Sequence, residues 1–438
     1  MIMPFPIDFV NLMQQQLGPE QARQLLDGLS QEPSVSVRLN RAKLSLLSDN
    51  SFQLPSDAEP VAWCPEGFYL SNRPSFTFDP LFHAGLYYVQ EAGSMYLDEV
   101  LRRYMPAGDL VALDLCAAPG GKSTLLRGRL SADSLLVSNE PMRPRAQVLA
   151  ENIIKWGHPN CVVTNNFPED FRHLEAAFDL IVVDAPCSGE GMFRKDEVAV
   201  SEWSLQNVET CVQRQRKILA DIWPCLKPGG LLVYSTCTFN RYEDEENTVW
   251  IARELGATEL EQRHFFPGRD RGEGFYLSAL RKDGEFASAG PCAAKNAILS
   301  GLNGPFELHK RAEKQFALPV IHAAFMKKLL RTLNVLTAGV EYQEQKGRDW
   351  IPAHGLSMSR AYVRGTFPEV EVDYPQAISY LRRDTVRVDA PRGIVLLTYR
   401  GVPLGFAKSV GGRLNNMYPQ EWRIRTTYLP SEEVNLLM

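Results

Sequence analysis

Residues 106 to 283 of this chain are predicted to form a doubly wound α/β domain with a mostly parallel sheet. Three observations predict it. Short apolar runs alternate with helical stretches, the pattern of a parallel sheet covered by helices. A turn of small residues with paired glycines follows the first run directly. Every chemistry-bearing motif falls at the carboxyl end of a run, where open α/β sheets bind their ligands.

The predicted strands are Leu110 to Leu115, Ser134 to Asn139, Cys161 to Thr164, Phe178 to Asp184 and Gly230 to Thr236. Arg143 to Trp156 is a helix following the second strand, with Gly157 as its stop, since glycine accepts the left-handed conformation that closes a helix. Val208 to Leu226 is a helix preceding the fifth strand, expected to end at Lys227-Pro228-Gly229-Gly230. Residues 1 to 105 mix an amphipathic helix signal, Phe9 to Leu29, with strand-like runs and are read as an α+β lead-in domain. Residues 284 to 365 are irregular. Their Gly- and Ala-rich stretch Gly284 to Gly304 is read as a linker, the rest as an intermediate domain. Residues 366 to 438 form a compact β-rich tail with a strand at Gly393 to Tyr399 and a turn at Gly411 and Gly412.

A chain of 438 residues exceeds one ordinary core, so several domains are expected. Hydrophobic content of 45% and charged content of 23% fit a soluble globular protein. No apolar run reaches membrane-spanning length, and Asp8 interrupts the N-terminal apolar stretch, which has no basic leader. A cytoplasmic protein is the expectation. The eight cysteines form no C-x-x-C pair, so no metal site is expected and they are read as free thiols. Net charge is -5, but the segment Gln376 to Thr427 carries nine basic residues against three acidic ones, a local +6. A local basic face is what a nucleic-acid binder needs.

The first strand runs into Asp114-Leu115-Cys116-Ala117-Ala118-Pro119-Gly120-Gly121-Lys122. Small residues let the backbone turn tightly and approach a ligand closely. A phosphate loop of the G-x-x-x-x-G-K-[ST] type would need glycine where Cys116 stands. A loop for S-adenosylmethionine (SAM) fits better. Glu140 ends the second strand, about 25 residues on, and suits the two hydroxyls of a ribose. That signal alone does not separate SAM from a nicotinamide dinucleotide. Asn165 and Asn166, after the third strand, are candidates for the adenine edge.

The fourth strand ends in Asp184-Ala185-Pro186-Cys187-Ser188-Gly189 and the fifth in Thr236-Cys237-Thr238. Cysteines at the ends of neighbouring strands face one cleft. Carbon 5 of cytosine is a poor nucleophile toward a methyl sulfonium, and a thiolate adding at carbon 6 makes it a good one. Asp184 is placed to meet the charge developing at ring nitrogen 3, and a second thiol can assist release of the adduct. A target base must leave any stack to reach such a cleft. The residues alone leave open which cysteine attacks.

The motifs Asp114 to Lys122, Asp184 to Gly189, and Tyr234 to Thr238 with Glu243 to Asn247 resemble those of the Nop/Sun family of RNA cytosine-C5 methyltransferases. Arg38-Leu39-Asn40 and Val89 to Ser94 resemble the family's lead-in segments. Gly401 to Gly405 and Asn416 to Pro419 resemble the tail of its RsmF-like bacterial branch. The resemblance implies a SAM-dependent, Rossmann-like methyltransferase with a C-terminal PUA-like RNA-binding domain. It implies Cys237 as nucleophile, Cys187 as the thiol that aids product release, and Asp184 beside them. SAM binding falls to Cys116, Ala117, Ala118, Pro119, Gly120, Gly121, Lys122, Glu140, the site matched by Asn166, and Asp184. The family usually has Asp where Asn166 stands. Arg145 resembles a helix arginine near the family's active site. The branch acts on small-subunit (16S) ribosomal RNA, so that RNA or the small subunit is the implied partner. Tyr399, Tyr418 and Trp422 are candidates to stack on bases if exposed. Competing readings are a transfer-RNA methyltransferase, a DNA cytosine methyltransferase attacking through Cys187, and a non-catalytic SAM-binding ribosome-assembly factor. The DNA reading leaves Thr236-Cys237-Thr238 without a purpose. The complete loop, both cysteines and Asp184 speak against a decayed site.

Overall fold

The computed structural model describes residues 5–48, 52–286, 298–426, 428–430 and 432–437. Met1 to Pro4, positions 287 to 297 of the expected linker (with Cys292), and Thr427 lie outside the described residues.

The central sheet is built from β1 (Val111–Asp114), which leads into helix α1 (Gly121–Arg129). Next come β2 (Leu135–Asn139), α2 (Arg143–Trp156), β3 (Cys161–Thr164) and β4 (Phe178–Asp184). Helix α3 (Leu205–Ile222) precedes β5 (Leu226–Thr236), followed by β6 (Ala257–Phe265), β7 (Phe275–Lys282) and β8 (Val335–Ala338). The strand order is β6-β7-β5-β4-β1-β2-β3-β8. Strands β1 to β5 are mutually parallel; β7 and β8 run antiparallel to them on the two flanks, and the edge strand β6, antiparallel to β7, runs in the direction of the five. The five parallel strands are buried on both faces. Leu113, Val137, Ile181 and Val183 enter one core, and Ala112, Leu136, Leu180 and Val182 the other. That is why they read as unbroken apolar runs. Each such leucine, isoleucine or valine contributes about 1.5–3 kcal/mol of burial.

Helix α2 ends as expected, at Gly157 with φ 86°. Helix α3 differs from expectation at both ends. It begins at Leu205, three residues before the predicted start, capped by Ser204, which accepts from Asn207 N–H at 3.1 Å. It stops at Ile222, ahead of Pro224, whose nitrogen has no hydrogen to give. Lys227 to Gly230, expected to close the helix, lies inside β5. The helix signals over Phe9 to Leu29 are two helices, Ile7–Leu17 and Pro19–Leu29, separated at Gly18 (φ 82°) and Pro19.

Residues 298 to 365 depart most from expectation. They are regular, with an antiparallel sheet of four strands, Phe306–Arg311, Lys314–Pro319, Val340–Lys346 and Asp349–Pro352. Strand β8 carries the region onto the catalytic sheet by pairing with β3. The N-terminal region holds a four-stranded antiparallel sheet in the order Glu59–Val61, Cys64–Leu70, Val35–Leu39, Tyr87–Val89. The C-terminal sheet is Glu369–Glu371, Gly393–Tyr399, Val402–Ser409 and Leu414–Asn416. These two regions share one hydrophobic core, in which Val37, Leu39 and Leu86 meet Val395, Leu397 and Leu404. Tyr399 and Tyr418, considered for base stacking, are buried in that core, and Trp422 packs against it half-buried. Tyr399 donates its hydroxyl to Glu433 and Asn435 instead. A small β module needs its large aromatics for its own interior.

Candidate active site

The chain leaves β1 at Asp114 and turns through Cys116 to Gly120 into α1. Gly120 has φ 118°, a conformation open to glycine and strained for other residues. A Cβ on Gly121 would sit 3.4 Å from the Tyr88 ring, so the N-terminal region closes on the loop at this point. Two side chains of α2 hold the loop from outside. Arg145 Nη2 donates to the Ala118 carbonyl (3.0 Å) and Asn152 Nδ2 to the Pro119 carbonyl (2.8 Å). Beneath it, Ser123 Oγ donates to Asp114 Oδ2 (2.6 Å). Burial raises the Asp114 carboxyl to about 7, against the pull of Ser123. The cleft above is lined by the loop from Cys116 to Lys122, by Asp184, and by Tyr88, Gln90 and Glu91 of the N-terminal region. These last three were not read as site residues, although Gln90 and Glu91 lie in a segment whose family likeness was noted.

Glu140 stands at the end of β2, 2% exposed. It accepts from Met142 N–H at 2.9 Å and lies 3.6 Å from Arg145. Arg145 therefore ties the loop to Glu140. Met142 and Phe167, which follow β2 and β3, are 56% and 58% exposed. Their exposure is a feature of the folded chain that the sequence does not announce. Asn165 donates to the Glu140 and Pro141 carbonyls. Asn166 is not brought into the cleft. Its amide is engaged on both sides, donating to Asp170 (3.0 Å) and accepting from Asn334 N–H (2.9 Å).

Strands β4 and β5 are parallel neighbours, with Asp184 opposite Ser235. Their ends bring the Cys187 and Cys237 sulfurs to 3.1 Å, both half-buried. Asp184 accepts from Ser235 Oγ (2.8 Å) and pairs with Lys122 Nζ (2.9 Å), whose ammonium lies 4.8 Å from the Phe275 ring centre. Burial pulls the Lys122 ammonium down, but Asp184, Asp114 and Cys237 together raise it above its ordinary range. The Cys187 thiol is raised well above the usual value, first by its hydrogen bond to Cys237 and then by burial. Both causes favour the protonated form of Cys187. The turn carrying Cys237 is fastened below. Thr236 and Thr238 both donate to buried Asp244 (2.5 and 3.0 Å), and His264 Nε2 lies 2.9 Å from the Thr238 carbonyl.

A thiol pair, a lysine–aspartate pair and a glycine turn thus converge at the carboxyl ends of three adjacent strands. A family model for 16S rRNA methyltransferase RsmB/F matches residues 104–281. Models for the N-terminal domain of 16S rRNA methyltransferase RsmF and for the methyltransferase RsmF PUA domain match residues 5–92 and 367–424. Among curated relatives, ribosomal RNA small subunit methyltransferase F of Klebsiella pneumoniae is 31% identical over 88% of this chain and 89% of its own. That of Pectobacterium atrosepticum is 30% identical over the same shares. Among solved structures, a methyltransferase homolog from Pyrococcus horikoshii superposes with TM-score 0.54 at 26% identity, covering 64% of this chain and 95% of that one. NSun6 from the same organism gives 0.54 at 19% identity, covering 65% and 100%, a likeness of fold. The fold is that of a SAM-dependent methyltransferase with a PUA-like domain at its C-terminal end, and the chain belongs to the ribosomal RNA small subunit methyltransferase F family.

Proposed function

We propose that the protein methylates carbon 5 of a cytosine in 16S ribosomal RNA, through a covalent bond between Cys237 and carbon 6 of the base. The observation that carries this reading is the contact of two thiols, 3.1 Å apart, at the mouth of the cleft lined by the glycine turn and Asp184. SAM is the fitting cofactor. The glycine turn leaves room for close backbone approach, Glu140 offers a carboxylate to ribose hydroxyls, and Met142 and Phe167 offer apolar surface to a purine. When bound, SAM supplies the methyl group.

The protein's own residues supply the rest. Cys237, beside the Lys122 ammonium, adds as thiolate to carbon 6. Asp184, oriented by Ser235 and Lys122, passes the proton that leaves the Cys237 thiol to ring nitrogen 3 as charge develops there. Cys187 keeps its proton through the addition; once Cys237 is bonded to carbon 6, the main cause holding that proton is gone, Cys187 gives it to solvent, its thiolate accepts the carbon 5 proton, and Cys237 leaves carbon 6 as thiolate. Asn166, engaged by Asp170 and Asn334, holds its loop instead of touching the cofactor. The RNA backbone is met by the basic residues of the PUA-like domain, whose phosphate contacts give affinity without sequence choice. The partner is 16S ribosomal RNA or the small subunit, in the cytoplasm.

The test is to map 5-methylcytosine in ribosomal RNA from cells with and without the gene. One 16S cytosine should lose its mark and regain it on complementation. Unchanged ribosomal RNA with a lost transfer-RNA mark overturns the substrate. Loss of neither overturns the activity.

A further inference from the structure

The two cysteine loops are joined by a reciprocal pair of carboxylates that the chemistry above does not use. Glu190 belongs to the Cys187 loop and is fully buried. It reaches across to the Cys237 loop, where its Oε2 accepts from the backbone N–H of Phe239 (2.6 Å) and Asn240 (3.1 Å). Glu243, also fully buried, belongs to the Cys237 segment and reaches the other way. It accepts from Ser188 N–H (3.0 Å) and from the Ser188 hydroxyl, beside Cys187. Asn240 bridges the two acids, its Nδ2 donating to Glu190 Oε1 (2.9 Å) and to Glu243 Oε1 (2.8 Å). Trp203 Nε1 and Gln215 Nε2 satisfy the remaining positions at 3.0 and 2.7 Å.

Strand pairing does not set the thiol spacing. The β4–β5 ladder ends at Asp184 and Ser235, before either cysteine. Beyond it, the loops are tied by this network and by two backbone bonds, Ala185 N–H to the Ser235 carbonyl and Gly191 N–H to the Cys237 carbonyl (both 2.8 Å). The network holds two carboxyl groups together. Burial and then Glu243 raise Glu190 to about 7, and burial raises Glu243 as well. Such a pair stays closed only while its donors are in place.

We propose that Glu190, Asn240 and Glu243 are positioning residues that clamp the two loops so that the Cys187 and Cys237 sulfurs stay in contact. By doing so they govern how fast an adduct made by one thiol is resolved by the other. The second statement rests on the two-thiol chemistry proposed above; the first does not.

The experiment separates them. Phenylarsine oxide bridges two thiols that lie close together. Two As–S bonds form, and both thiol protons leave with the arsenical oxygen as water. Its affinity for the full-length protein is measured by mass spectrometry for wild type, Glu190→Gln and Asn240→Ala, with Cys187→Ala as the single-thiol control. SAM affinity and melting temperature are recorded alongside. Both variants that fold and bind SAM as wild type are expected to lose at least about tenfold in arsenical affinity, because the effective concentration of one thiol at the other falls. With RNA, both are expected to accumulate covalent adduct as Cys187→Ala does. A merely structural role would lower SAM affinity and adduct formation together. Wild-type arsenical affinity in a folded variant overturns the clamp, and Asn240→Ala, which removes no charge, decides if Glu190→Gln fails to fold. Weakened arsenical binding with no adduct in wild type or in Cys187→Ala leaves the clamp standing and overturns the covalent chemistry.

Discussion

The glycine turn makes the sharpest test of how the cofactor loop works. Gly120 sits at φ 118°, ψ 6°, beyond the left-handed region that a side chain tolerates. Alanine there would meet Leu149 and Asn152 at 3.4 Å, which is tight but bearable. The backbone is the main cost, about 2 kcal/mol for holding a non-glycine residue in such a conformation. The loop is expected to relieve it by rotating the peptide that leads into α1. That moves the first N–H groups of the helix away from their places in the cleft. If the whole cost falls on the bound state, SAM affinity drops by about thirtyfold. If it falls on folding, the melting temperature drops by about 4–8 °C for a domain of this size. Gly128→Ala is the control. It lies on the same helix, exposed, with nothing within 4 Å of the added carbon. It is expected to stabilise by about 0.5–1 kcal/mol and leave SAM binding alone. Calorimetric titration with SAM and thermal melts read both effects. Unchanged affinity and melting temperature in Gly120→Ala would refute the strain argument.

Three further outcomes are expected. Cys237→Ala should abolish covalent RNA trapping on denaturing gels while Cys187→Ala accumulates the adduct, and the reverse pattern would reassign the nucleophile. Asp114 titrates near 3.8 when unfolded and about 7 when folded. Between those values the folded state alone keeps the proton, so the group's stabilising contribution is full below the lower value and is lost as pH rises through the upper one. Asp114→Asn should gain melting temperature relative to wild type from about pH 4 to about pH 7, and a difference that stays constant with pH would contradict this. Arg387 and Arg392 are exposed on the basic C-terminal region. Changing both to Glu should weaken RNA binding regardless of sequence and reduce the salt slope by about 1.8, near 0.9 for each phosphate no longer neutralised; an unchanged slope would remove these residues from the interface.

The parallel strands were legible because burial on both faces writes itself as continuous apolar runs, from Leu135 to Val137 and from Leu180 to Val183. Helix α2 was legible because Gly157 marks its end. The sheet between 306 and 352 was not. Its strand Val340–Lys346 reads Val-Glu-Tyr-Gln-Glu-Gln-Lys, half-exposed along most of its length, with no apolar alternation to find. The two cysteines announced themselves through their motifs, but their supports did not. Glu190 and Glu243 look like surface acids in a sequence, and only the adjacency of β4 and β5 turns them inward toward each other's loops. Asn166 is hard to read for the opposite reason. A polar residue after a strand looks available, yet the amide was already paired to Asn334, 168 positions away. The burial of Tyr399 and Tyr418 likewise depended on a core shared with the start of the chain.

That shared core orders events during synthesis. Leu436 and Leu437 are buried among N-terminal residues, and Leu436 donates its N–H to Asp79. The early sheet therefore emerges from the ribosome with an unfinished interior and waits while the catalytic domain is made. Contacts spanning 357 positions are slow to form and leave apolar surface open meanwhile. A nascent chain paused just short of Leu436 should be far more sensitive to protease near Tyr87 than the released protein.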